Sequence, residues 1–177
     1  MCGVLLAAGC SVAPARPSIE AYRLRQAAAK ATVAKLTTGM IGAVEVKVRV
    51  TCSARVGAFS WPDGAVELTA GLVDGLDEDE LAAAVAHELG HILGGRGAGA
   101  ASALSGTSGA PGDVESRADR FATSLLARAG YAPDAMARTL TKVMHAPGTT
   151  PAVRARLARR IALLAAAAPG RQSDPSF

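Results

Sequence analysis

The feature that most constrains this chain is a pair of histidines, His87 and His91, set one helical turn apart in a segment with few other polar side chains. Leu81-Ala82-Ala83-Ala84-Val85-Ala86 precedes them, and Leu89 and Ile92 follow. A helix that is apolar on every side is a buried helix. Buried imidazoles and a buried Glu88 need partners. Positions i and i+4 share a helical face, so His87-Glu88-Leu89-Gly90-His91 aims both rings at one point, with Glu88 beside the first. This is H-E-x-x-H, a donor pair for one divalent ion with an acid placed to take a proton from a nearby water. The competing reading, an exposed helix with two surface histidines, needs a polar face that the flanking residues barely provide.

The same helix carries its own start signal. Asp77 is a capping residue, Glu80 stands where a capping box wants Glu, and Asp77-Glu78-Asp79-Glu80 suits the positive helix end. Gly94-Gly95 predicts an end near Leu93. Upstream, Ile19, Tyr22, Val33 and Leu36 recur at helical spacing from Ser18 to about Met40. From Ala43 to Cys52 the period changes to two, with Val44, Val46, Val48 and Val50 alternating against charged residues, which predicts a half-buried strand. Cys52 is expected as a buried strand cysteine. Val56–Trp61 and Ala65–Thr69 flank Pro62-Asp63-Gly64 and predict a hairpin. Together these give a small sheet of about three strands, mostly antiparallel. Gly94–Gly112 is rich in Gly, Ala and Ser and is expected to be a loop. Further helices are expected over Asp113–Ala129, after Pro133-Asp134 to about Met144, and over Pro151–Ala168, the last with a stripe of Val153, Leu157, Ile161 and Leu164. The fold class is α+β.

Composition excludes several functions. Of 177 residues, 50% are hydrophobic and only 19% charged, unlike a disordered chain. Three cysteines cannot staple a disulfide scaffold. Aromatic residues make up 3% and the net charge is +4, so neither base stacking nor a strong basic field marks nucleic acid as a partner. The glycines of Gly94–Gly99 follow a helix rather than a strand and lack a Lys-Ser/Thr, which argues against a nucleotide site. Arg154, Arg156, Arg159 and Arg160 make the last helix basic, a solvated face or one that rests on anionic lipid. At the N-terminus, Val4-Leu5-Leu6-Ala7-Ala8-Gly9-Cys10 reads as the end of a lipoprotein signal, although Met1-Cys2-Gly3 has no basic residue. On that reading residues 1–9 are a signal segment, Cys10 is the lipidation site, residues 10–17 are a tether, residues 18–168 the folded domain and residues 169–177 a disordered tail.

A third metal ligand must come from another element. Glu115 and Asp119 share one face of the next long helix, where the first can ligate and the second can accept the outer N–H of a ligand imidazole. They can also be an ordinary solvated pair beside Arg117 and Arg120. Asp113, Glu67 and Asp74 compete without the paired spacing.

Glu80 to His91 followed by Glu115-Ser116-Arg117-Ala118-Asp119 resembles the zinc metallopeptidase family of HtpX and the CAAX prenyl proteases, and most closely its small periplasmic members. Ala58-Phe59-Ser60-Trp61-Pro62-Asp63-Gly64, Thr69-Ala70-Gly71-Leu72 and Gly130-Tyr131-Ala132-Pro133-Asp134-Ala135 are similar to further segments of that family, so the likeness spans about Ala43 to Leu164. Gly57 stands where the family's hairpin has Asn, and Ala146 separates His145 from Pro147. The resemblance implies a zincin-like domain in which one Zn2+ is held by His87, His91 and Glu115. It also implies Glu88 as general base, Asp119 orienting a ligand histidine, and His145 either binding the metal in a resting state or donating to the developing oxyanion. His145 can equally be a surface residue at a helix end. The expected function is zinc-dependent endopeptidase, acting on extended polypeptide of the bacterial cell envelope from a lipid anchor that faces the periplasm. The alternative is a zinc-stabilised binding or chaperone module with little proteolysis, and a helical domain without metal is a third.

Overall fold

In the computed structural model, residues 18–40, 46–97 and 111–167 are described. The expected signal segment, Cys10, the tether, most of the glycine-rich loop and the C-terminal tail lie outside these residues.

Helix α1 (Ile19–Thr37) starts at Ser18, whose hydroxyl accepts the Ala21 N–H at 3.1 Å. Its anchored half begins at Gln26, which donates to the Val48 carbonyl at 2.7 Å and accepts the Val50 N–H at 2.9 Å. Val33 and Leu36 are buried as the spacing predicts, whereas Ile19 and Tyr22 are exposed. Those first turns lie beyond the point where Gln26 ties the helix to the sheet.

Three strands follow, β1 (Lys47–Thr51), β2 (Ala58–Ser60) and β3 (Ala65–Thr69). In β1, Val48 and Val50 turn inward while Lys47 and Arg49 are exposed, as the period of two requires. The hairpin forms around Gly64, whose φ of +83° is open to glycine at little cost. The sheet is mixed, which corrects the expectation of a mostly antiparallel one. Its order is β1-β3-β2, with β1 parallel to β3 (Lys47↔Ala65 to Thr51↔Thr69) and β2 antiparallel to β3. The chain skips one strand position between Thr51 and Ala58, and the returning arm of the hairpin fills the centre. Alternation within a strand reports which face is buried, not the direction of its neighbour. Cys52 lies just past the end of β1 and is exposed, because the ladder stops at Thr51.

Thr69 closes β3 and caps the short helix α2 (Ala70–Gly75), its hydroxyl accepting the Leu72 N–H. Helix α3 (Glu78–Gly97) opens with the expected capping box: the Glu80 N–H donates to Asp77 and the Asp77 N–H to Glu80, each at 2.9 Å. The helix passes through Gly94-Gly95 to Gly97. Glycine weakens a helix interior by about 1 kcal/mol but does not forbid it. Helices α4 (Pro111–Arg128), α5 (Ala135–His145) and α6 (Pro151–Ala167) complete the described chain. No helix among the described residues is long and apolar enough to cross a membrane.

Helix α3 is the centre of the core. Ala82, Ala83, Val85, Ala86 and Leu89 have no measurable exposure, and α1, α4, α5 and β2 pack around the helix. Alanine and glycine on α3 let α4 come close. A Cβ at Gly90 would lie 2.9 Å from the Ala118 Cα and 3.0 Å from its carbonyl oxygen, so only a bare Cα fits. Ala118 lies between Glu115 and Asp119, and this crossing carries both acids onto the histidine face of α3. Gly90→Ala is expected to destabilise the fold by about 1–3 kcal/mol through overpacking, read as a lower denaturant midpoint at unchanged slope.

Candidate metal centre

The nitrogens and oxygens that converge on this crossing are close enough to share one ion. His87 Nε2 and His91 Nε2 are 3.1 Å apart. Glu115 places one carboxylate oxygen 3.4 Å from His87 Nε2 and the other 3.4 Å from His91 Nε2. Ligand atoms held at 2.0–2.1 Å by a tetrahedral zinc are about 3.3 Å from one another, so the spacing and the donor set fit that metal. Among the described residues, His87, His91 and Glu115 form the group able to hold a metal ion.

Asp119 sits one turn beyond Glu115 and is 3% exposed. Its carboxylate lies 2.9 Å from His87 Nδ1. An N–H donated there leaves Nε2 with a lone pair directed at the shared point, the orienting role that the spacing of the two acids predicts. The predicted partners Arg117 and Arg120 are both exposed. The cation that serves the acids comes from α6. Arg160 donates through Nε and Nη2 to the two oxygens of Asp119 at 2.8 and 2.6 Å, and its Nη1 lies 2.8 Å from Glu115.

Sequence reasoning grouped Arg160 with Arg154, Arg156 and Arg159 as one basic face. The other three are exposed, and Arg160 alone turns inward. A signal was present. Val153, Leu157, Arg160 and Leu164 follow at spacings of four, three and four, placing a charge in the apolar stripe opposite two acids on a buried face.

The acids of the site hold a proton on His87. Burial works against a charged His87, yet hydrogen bonds to Asp119 and Glu115 overcome it and raise its pKa to about 9. The His87 contact lowers the pKa of Glu115. Burial alone would raise Asp119, but Arg160 and His87 hold it below the ordinary carboxylate range. Without an ion the two carboxylates are balanced by Arg160 and by a proton on His87, and a divalent ion would take the place of that proton.

Glu88 is 7% exposed and lines the same cavity as His87, His91 and Glu115, a space of about 590 Å³. Residues Gly57 to Ser60, including the edge strand β2, form part of its wall. His145 is not among the lining residues. It ends α5 exposed to solvent, two positions after the lining residue Val143 and so turned about 200° from it. Glu67 faces Arg49 in the sheet and Asp74 pairs with Arg25 at 2.6 Å, which removes both as third ligands. The Asp113 side chain lies outside the described residues.

Residues 23–108 match the model of a known family, described as Peptidase family M48. No curated protein matches the chain. The matched segment contains His87, Glu88 and His91, while Glu115, Asp119 and Arg160 lie beyond it and join the site through the fold.

Breaking a buried ion pair from one side costs about 3–5 kcal/mol because the remaining charge is left uncompensated. Arg160→Ala is therefore expected to lower stability by about 3 kcal/mol, and Arg156→Ala or Arg159→Ala by less than about 0.5 kcal/mol, compared by chemical denaturation.

Proposed function

We propose that this chain, which belongs to peptidase family M48, is a zinc-dependent endopeptidase that hydrolyses extended polypeptide of the bacterial cell envelope. The observation that supports this most is the convergence of His87, His91 and Glu115 at ion-sized separations in the wall of the cavity that Glu88 also lines. Those three residues would hold the ion. Bound zinc supplies Lewis acidity, polarising a carbonyl and easing the loss of a proton from water.

The remaining steps fall to the protein's own side chains. Glu88 takes the proton of the attacking water and returns it to the leaving amine, a relay within reach of one carboxylate that lies beside the scissile bond. Asp119 fixes the tautomer and orientation of His87 from its buried side, and Arg160 keeps Asp119 ionised and aligned. Strand β2 pairs only with β3 among the described residues. Its free edge over Ala58–Ser60 can take an extended substrate as an added strand, which places a peptide bond along the cavity. His145, exposed at the end of α5, is given no step.

The envelope location rests on the residues from Val4 to Cys10. Acylation of Cys10 would tether the domain to a membrane surface, and mass spectrometry of the native protein reads it directly. The rival function, a zinc-stabilised binding or chaperone module, shares the metal and lacks the turnover.

Glu88→Gln is expected to retain one zinc per chain and to lose cleavage of unfolded casein by about 10²–10⁴-fold. Glu115→Ala is expected to lose the metal. Chelator-sensitive cleavage by the wild type that vanishes in Glu88→Gln carries the hydrolytic reading. Zinc without cleavage favours the rival, and unchanged cleavage in Glu88→Gln removes this residue from the mechanism.

A further inference from the structure

Helices α4 and α6 meet along a seam whose inner side holds the candidate ligands. On α4, Ala118 packs on α3, and the next residue, Asp119, meets Arg160 of α6. Each step along a helix turns by about 100°, so Arg120 continues that turn to the outer side of the seam, with Arg117 nearly one turn back beside it. On α6, Leu157 lines the cavity and Arg160 reaches α4. Arg156 and Arg159 are turned about 40° and about 100° from Arg160, away from Leu157, which carries them to the same outer side. All four arginines are exposed.

The acids of these helices do little to neutralise them. Helix α6 has none, and Glu115 and Asp119 of α4 are committed inward to Arg160. The Asp113 side chain lies outside the described residues; counted against the four arginines, its one charge leaves an excess of three. None of the four pairs with another described residue, unlike Arg25, Arg49 and Arg138, which each face a carboxylate. Two large apolar side chains stand among them. Leu163 is 52% exposed, one turn beyond Arg159, and Val114 is 41% exposed, one turn before Arg117. Past Arg159 the outer arc of α6 is alanine, at Ala155, Ala158 and Ala162, all exposed, and offers no bulk to hold a flat surface away.

We propose that the outer face of the α4–α6 seam docks on an anionic phospholipid surface. Guanidinium groups pair with lipid phosphates in the bidentate geometry that suits both, while Leu163 and Val114 enter the boundary of the acyl chains. A nucleic acid would satisfy the charges but not those two side chains, and neither helix presents an exposed aromatic ring for base stacking among the described residues. The contact leaves His87, His91 and Glu115 free on the other side of the seam. It requires neither hydrolysis nor acylation of Cys10.

The test uses the full-length chain carrying Cys10→Ser, which excludes acylation, and vesicles of phosphatidylglycerol and phosphatidylcholine in equal parts, with phosphatidylcholine alone for comparison. Binding, measured by co-sedimentation, is expected only with phosphatidylglycerol and is expected to weaken as salt is raised. Replacing Arg120, Arg156 and Arg159 together by Gln is expected to weaken it about 100-fold, at about fivefold per arginine. Replacing Lys30, Lys47 and Arg55 together by Gln removes the same charge elsewhere and is expected to cost less than about threefold. Leu163→Ser is expected to lose several-fold on vesicles and nothing on double-stranded DNA. The substituted arginines, lysines and leucine are all exposed, so each variant is expected to fold as the wild type does, read by circular dichroism. Equal losses in the two triple variants overturn the proposal, because net charge alone then accounts for the binding. A chain that holds double-stranded DNA as tightly as the vesicles, or a Leu163→Ser variant that binds vesicles undiminished, overturns it in favour of a plain anion site.

Discussion

A carboxylate that is 3% exposed must be compensated where it lies, and for Asp119 the compensation comes from two other helices. His87 on α3 approaches one of its oxygens, and Arg160 on α6 takes both in a bidentate pair. One side chain on α4 therefore joins three helices. The candidate ligand group and the packing of the last helix are thereby linked, since the acid beside His87 has its charge compensated by Arg160 of α6. This is why a site whose recognisable motif ends at His91 depends on a residue almost seventy positions further on.

Much of this was legible in the sequence because the signals were local. The capping box of Asp77 and Glu80, the Pro62-Asp63-Gly64 turn and the i, i+4 pairs of His87 with His91 and Glu115 with Asp119 all act within a few residues, and each stands where the spacing puts it. The failures involve partners far apart in the chain. The parallel pairing of β1 with β3 is decided by which strand fills the gap the chain leaves. Arg160 resembles its neighbours until the acids opposite it are known. Gly94-Gly95 looks like a stop, yet α3 runs through it to Gly97. His145 had two readings in the sequence, and it ends α5 exposed to solvent, two positions past Val143, which lines the cavity.

Gly90 lies between these two categories. Its place inside H-E-x-x-H invites a reading in terms of the metal, whereas its role is steric. It leaves room for the Ala118 backbone, and so fixes how far Glu115 is from His87 and His91. With a tetrahedral ion, ligand atoms a few tenths of an ångström too far apart cannot all bind at 2.0–2.1 Å. The helix crossing therefore sets the spacing of the three candidate ligands, and the residue that sets it carries no functional group.

The start of α3 does comparable work for the apolar end of the cavity. Glu80, 2% exposed, closes the capping box and also meets Lys142 and Arg138 of α5, while Thr139 bonds its carbonyl. Arg138 and Lys142 occupy the side of α5 that faces the first turn of α3, and Thr139, which bonds Glu80 and also lines the cavity, marks the border of that side. Met136, Leu140 and Val143, one helical face round, look into the cavity. Pinning the polar side of α5 orients its apolar side. The first turn of α3 thus positions the apolar wall of the cavity and its middle carries His87, Glu88 and His91, so the distance between the two is set by one rigid helix and not by a loop. Groups carried by one helix keep a fixed offset, whereas a wall on a loop would lie at many distances from Glu88.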